Sequence, residues 1–159
     1  MCGLVGFHDN ITNNDEFSNI LLKLSSSIKH RGPNSSGQFI DYNNKIGLSH
    51  RRLSILDLSI NGNQPMSTSN EDKVLVYNGE IYNHFNIREE LNREYSILWK
   101  GTSDTETLLN ALINWGLNKT LNKINGMFAF AYYNKKHKKI ILARDRFGEK
   151  PIYYGFIGE

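Results

Sequence analysis

Residues 126–133, Gly-Met-Phe-Ala-Phe-Ala-Tyr-Tyr, alternate large and small apolar side chains and carry no charge. A strand wetted on one face alternates apolar with polar residues. This segment is apolar on both, so it reads as a strand packed on both faces. A chain containing it must lay material on either side of a sheet. The apolar stretch Met127 to Tyr133 is also the longest in the chain, far short of the roughly 20 residues a membrane helix needs.

The remaining pattern supplies the covering layers. Leu4 to Phe7 reads as a short buried strand. Glu16 to His30 carries Ile20, Leu21, Leu24 and Ile28 at a helical period, and Arg31-Gly32-Pro33 stops it. Gln38 to Tyr42 and Lys45 to His50 read as two strands joined by Asn43-Asn44. Leu58 to Ser69, rich in Asn, Gly, Ser and Pro, reads as a long loop. Lys73 to Tyr77 reads as a strand ended by Asn78-Gly79, and Asn83 to Arg93 as a short helix. Ser103 and Glu106 form a capping-box pattern ahead of Leu108, Leu109, Leu112, Ile113 and Trp115, with Gly116 as the stop. Lys139 to Arg144 and Pro151 to Phe156 read as further strands. Several strands split by two substantial helices give the α+β class, sheets covered by helices.

The chain has 159 residues, suiting one domain, and 39% hydrophobic and 11% aromatic residues, enough for a core. One cysteine excludes an intramolecular disulfide framework and fits a reducing compartment. The start, MCGLVGFHDN, shows no secretory pattern, so a cytoplasmic location is expected. Net charge is +3, and the one basic cluster, Lys135 to Lys139, lies between two apolar runs. It reads as a solvated hairpin turn rather than a nucleic-acid patch, because no aromatic stacking pattern surrounds it. Neither nucleic acid nor membrane is expected as a partner. No metal-ligand spacing joins the five histidines, and no phosphate-binding glycine fingerprint is present.

Four polar segments stand at the ends of apolar runs. Cys2, with Met1 removed, would carry a thiol beside a free α-amine whose ordinary pKa is about 7.7–8.0, a nucleophile and a base in one residue. The bland alternative is a small buried side chain. Gly3 would leave space around the thiol. In His50 to Asp57, Arg51 and Arg52 can hold a carboxylate, or an arginine can simply pair with Asp57. In Tyr77 to Asn83, Asn78-Gly79 is either a turn or a pair of donors, the Asn78 amide and the Gly79 N–H, for a developing oxyanion. In Gly101 to Glu106, Asp104 suits a helix start and can also hold an ammonium.

Taken in order, eight segments resemble the glutaminase domain of class II glutamine amidotransferases, the N-terminal-nucleophile type, and most of all that of glutamine-hydrolysing asparagine synthetases. They are Met-Cys-Gly-Leu-Val-Gly (1–6), His-Arg-Gly-Pro (30–33), Arg-Leu-Ser-Ile (52–55), Gln-Pro-Met (64–66), Asn-Gly-Glu-Ile-Tyr-Asn (78–83), Ser-Asp-Thr-Glu (103–106), Gly-Met-Phe-Ala-Phe-Ala (126–131) and Ala-Arg-Asp-Arg-Phe-Gly-Glu-Lys-Pro-Ile-Tyr-Tyr (143–154).

The resemblance implies a four-layer αββα sandwich and hydrolysis of glutamine to glutamate and ammonia. By similarity Cys2 is the nucleophile and Asn78 and Gly79 form the oxyanion hole. Arg52 holds the glutamine α-carboxylate and Asp104 its α-ammonium. The backbone of Leu53, Ser54, Ile55 and Leu56, with Glu80, completes the pocket. His30 to Pro33, Arg144 and Asp145 match positions read as structural or gating.

No cofactor is implied for this domain. ATP and magnesium belong to a synthetase domain, which would receive the ammonia in cis or as a partner subunit. A homodimer is among the expected assemblies. Two departures stand out. Asn34 replaces the family's usual Asp after His-Arg-Gly-Pro, and the sequence stops at Glu159, before the last strands and the synthetase domain of the family. The alternatives are the glutaminase half of a sister amidotransferase, making hexosamine phosphate or amidating a sugar carboxylate, and a binding module or gene fragment without turnover.

Overall fold

The computed structural model describes residues 2–54 and 57–157. Two sheets stack face to face. The first has the order β1-β3-β2, from β1 (Gly3–His8), β2 (Ser35–Asp41) and β3 (Ile46–Arg52). The second has the order β4-β5-β6-β7, from β4 (Met66–Ser67), β5 (Lys73–Ile81), β6 (Gly126–Asn134) and β7 (Lys139–Arg144), and every pairing is antiparallel.

β6 fulfils the expectation of a strand packed on both faces. Its Phe128, Phe130 and Tyr132 join Leu75 and Tyr77 of β5 and Leu108, Leu109 and Leu112 in one cluster. Its Ala131 and Tyr133 face the other way, meeting Ile46 and Leu48 of the first sheet. The side toward the helices is filled by large rings, while the side toward the first sheet mixes the small Ala131 with the large Tyr133, whose ring centre lies 6.0 Å from that of Phe39. Tyr133 Oη also donates to the buried Asp41 carboxylate (2.8 Å), tying β6 to the β2–β3 turn.

The helices form the outer layers. α1 (Asn14–Ser27) is capped by Asn13 and buries Phe17 and Leu21 on the first sheet, with Phe17 stacked on Phe7 at 4.4 Å between ring centres. α3 (Asp104–Asn114) lies on the second sheet, and α2 (His84–Glu94) packs on α3 through Ile87, Leu91 and Ala111. The result is the αββα sandwich that the resemblance implied.

Several sequence expectations need correction. Asn78-Gly79 does not end β5. The strand continues to Ile81 because β6 pairs with it throughout, Gly79 lying opposite Phe128 and Ile81 opposite Gly126. Gly79 is required by that proximity, since a Cβ there would stand 2.2 Å from Met127 O. The loop 58–69 contains a short 3₁₀ turn and β4, which pairs with Val74 and Leu75. A fourth helix, α4 (Gly116–Lys123), follows α3 directly, so Gly116 (φ 76°) stops one helix and begins another. Residues 151–156 form no strand: none of the described strands pairs with them, and Tyr153, Tyr154 and Phe156 are exposed. The capping box is half made. Ser103 Oγ accepts from Glu106 N–H (3.3 Å), but the Glu106 carboxylate accepts from Lys100 and Gly101 N–H and meets Arg88. No helix among the described residues is long and apolar enough to cross a membrane.

Candidate active site

Cys2 immediately precedes β1 at the end of the first sheet. Its sulfur accepts from Leu53 N–H (3.3 Å) and its thiol faces Leu53 C=O (3.5 Å). Gly3 does not clear space for that thiol. Its α-carbon faces the turn after α1, where a Cβ would lie 2.9 Å from Arg31 Cβ, so the glycine lets that turn close on the strand. The Arg31 guanidinium donates to Cys2 C=O from there (3.4 Å).

Cys2 opens into a polar pocket whose wall includes Arg52, Leu53, Asn78, Gly79, Glu80 and Asp104. Seven of the ten site residues predicted from sequence, counting Cys2, therefore share one cavity. Ser54 does not line it. Its N–H donates to Asn34 Oδ1 (3.0 Å), an acceptor that an aspartate would equally supply. Ile55 and Leu56 lie outside the described residues. Gln64 and Lys150 are polar residues of the wall to which sequence reasoning gave no role. Both lie in segments that carry the resemblance, but only burial marks them out, both being more than nine-tenths covered.

Arg52 and Asp104 are both buried and held from behind. Arg52 donates through Nη1 to Ser59 C=O (2.8 Å) and Asn63 Oδ1 (3.0 Å), and through Nη2 to Asp57 C=O. The Asp57 carboxylate takes Ser59 Oγ (2.5 Å) and Thr102 N–H (2.8 Å) and also feels the Arg52 charge. Hydrogen bonds from Ser59 in particular hold the Asp57 carboxyl below its ordinary range. Asp104 Oδ2 accepts from Tyr77 Oη (2.6 Å) and Ile81 N–H (3.0 Å). Burial first, and then the Asp104 charge, push the Tyr77 phenol well above its ordinary value, so it remains a donor.

Asp145 is buried and ties the turn after β7 to β6. Its carboxylate accepts from Phe128, Glu149 and Lys150 N–H at 2.9–3.1 Å. Burial raises its carboxyl, but these backbone bonds outweigh that and leave the pKa lowered. This geometry suits the structural reading of Asp145. The turn fixes Lys150 in the pocket wall and Phe128 opposite Gly79. Among the described residues no group of three or more His, Cys, Asp or Glu side chains could hold a metal.

His50 lies between the sheets with no exposed surface, its Nε2 3.0 Å from Tyr77 C=O. A carbonyl only accepts, so Nε2 carries the proton. Burial drives the ring pKa down to about 4. The sign follows: with the folded value below the unfolded one of about 6.5, His50 adds stability above pH 6.5 that is lost as pH falls toward 4. The size is about 3 kcal/mol. Burial lowers His84 also, in the same direction. Urea midpoints should therefore fall between pH 7 and pH 4 in the wild type and fall markedly less in His50→Gln. An equal fall in both would show that His50 is not the group responsible.

Fold and pocket define the class: an αββα sandwich of the N-terminal-nucleophile hydrolase type, with a cysteine at the head of the first strand opening between a buried cation and a buried anion. The fold is shared by the solved glutamine phosphoribosylpyrophosphate amidotransferase of Bacillus subtilis, at a TM-score of 0.63 and 20% identity over 91% of this chain and 36% of that one. The chain belongs to the family described as the glutamine amidotransferase domain, whose model matches residues 1–159. It is 38% identical to asparagine synthetase [glutamine-hydrolyzing] 1 of Bacillus subtilis, over all of this chain and 25% of the relative. It is 43% identical to the putative asparagine synthetase [glutamine-hydrolyzing] 2 of Methanocaldococcus jannaschii, over 86% of this chain and 28% of the relative. The chain thus spans about a quarter of the length of these relatives.

Proposed function

We propose that this domain hydrolyses glutamine to glutamate and ammonia through a thioester on Cys2. The ammonia would pass to an ATP- and magnesium-dependent synthetase domain or subunit that amidates aspartate. The observation that carries the reading is the convergence of Cys2, Asn78, Gly79, Arg52 and Asp104 on one pocket. A free amino acid needs one cation and one anion at fixed separation, with its side-chain amide then reaching the nucleophile. Arg52 takes the α-carboxylate and Asp104 the α-ammonium, both pre-set by their hydrogen bonds.

The Cys2 sulfur attacks the amide carbon. The carbonyl oxygen becomes an oxyanion, received by the Gly79 N–H and the Asn78 carboxamide. Removal of Met1 frees the Cys2 α-amine, which takes the thiol proton and returns it to the departing nitrogen, releasing ammonia. Water then attacks the thioester and the thiol is regenerated with glutamate.

The relatives' names support the asparagine-synthetase reading. Treatment with 6-diazo-5-oxo-L-norleucine, an electrophilic glutamine analogue, is expected to add one adduct at Cys2 in a chain whose intact mass lacks Met1. Glutamine should protect against it. An adduct elsewhere, or turnover by protein that retains Met1, would contradict the mechanism.

A further inference from the structure

In an antiparallel sheet, a residue's N–H and C=O point to the same edge, and alternate residues point to opposite edges. Tyr77 N–H donates to Gln64 Oε1 (2.6 Å) and Tyr77 C=O accepts from Gln64 Nε2 (3.1 Å). The odd-numbered residues of β5 therefore turn away from β6, toward β4. Phe128, opposite Gly79, agrees: its own N–H and C=O go to Asp145.

β4 covers that edge only as far as Leu75, which pairs with Met66. Two residues further in the same register, Gln64 falls opposite Tyr77. There the Gln64 backbone leans on the first sheet, its carbonyl lying 2.2 Å from where a Cβ of Gly37 would be. The side-chain carboxamide makes the two ladder bonds in place of the main chain.

The same Nε2 reaches Thr105 Oγ1 (3.3 Å), beside Asp104 at the start of α3. Further along the edge, Ile81 N–H is taken by Asp104 Oδ2 (3.0 Å). Gln64 and Asp104 thus cap the edge on either side of Gly79. Between them the main-chain edge of Gly79, its N–H included, is left to face the pocket that holds Cys2.

We infer that Gln64 is a positioning residue for the reaction: its carboxamide acts as a one-residue strand that fixes the oxyanion donor of β5 relative to the ammonium clamp of α3. The inference rests on the glutaminase reading above. Gln64 touches neither the reacting atoms nor the substrate in this role. Its loss should loosen the oxyanion donor while leaving ground-state binding in place.

Gln64→Met fills the same space without the three hydrogen bonds. In the full chain, kcat for glutamate release is expected to fall about 10–100-fold, less than the loss of an oxyanion donor itself. KM, the inhibition constant of glutamate and the rate of Cys2 alkylation by iodoacetamide should each stay within about threefold. Gln64→Glu, which keeps the acceptor for Tyr77 N–H but loses both donor contacts, should show the same split, and carries the test if Gln64→Met fails to fold.

A folded variant with unchanged kcat overturns the inference. So does a loss of glutamate binding and kcat in equal proportion, the mark of a pocket that has simply collapsed. Wild-type protein that releases no glutamate, with Met1 verified absent, overturns the glutaminase reading instead and this inference with it.

Discussion

Cys2→Ala is expected to abolish glutamine hydrolysis, a loss on the order of 10⁶ in kcat, the scale seen when the nucleophile of a covalent hydrolase is removed. Cys2 is the chain's one cysteine, and the serine of the pocket wall, Ser103, is occupied in capping α3, its Oγ accepting from Glu106 N–H. The fold should survive. Cys2 is partly exposed, and its sulfur contacts are two weak bonds to the Leu53 backbone. Stability should change by less than about 1 kcal/mol. Glutamine should still bind, because both clamps are intact. Glutamate release measured by a coupled assay, with binding followed by calorimetry, checks both halves. Residual turnover above about one part in a thousand would exclude Cys2 as the nucleophile.

Asp104→Asn is expected to lower kcat/KM for glutamine by on the order of 10²–10³, mostly through KM. Removing one charge of a buried pair costs about 2–5 kcal/mol. Asparagine keeps an oxygen that can accept from Tyr77 Oη and Ile81 N–H, so the variant separates the charge from the scaffold. Asp104→Ala removes both. It leaves two buried donors unpaired, at about 1–3 kcal/mol each, and should lose stability as well as affinity. Steady-state kinetics on Asp104→Asn beside thermal unfolding of both variants tests this. An Asp104→Asn enzyme with unchanged KM would show that the carboxylate does not hold the substrate ammonium.

The pattern of large and small residues in β6 was legible because it records two different neighbours, helices on one side and a sheet on the other. The segments that carry the site were legible through their order along the chain. What stayed hidden was which group each residue serves. Asn78-Gly79 has the composition of a turn, yet a nine-residue partner strand keeps it extended. Gly3 lies next to the thiol in sequence but makes room on the opposite face, for Arg31. Residues 151–156 have strand composition but pair with none of the described strands. α4 follows a glycine that looked like a plain stop.

Local sequence determined the layers of this protein, because periodicity states how many faces of an element must leave water. It also placed a candidate nucleophile, two candidate donors and two opposite charges on separate segments. Only the tertiary structure decided that these meet, since their convergence depends on strand register and on side chains that finish another strand's hydrogen bonds. Gln64 is the clearest case: as a residue type it is a polar loop position, and as an edge partner of Tyr77 it leaves Gly79 facing the pocket.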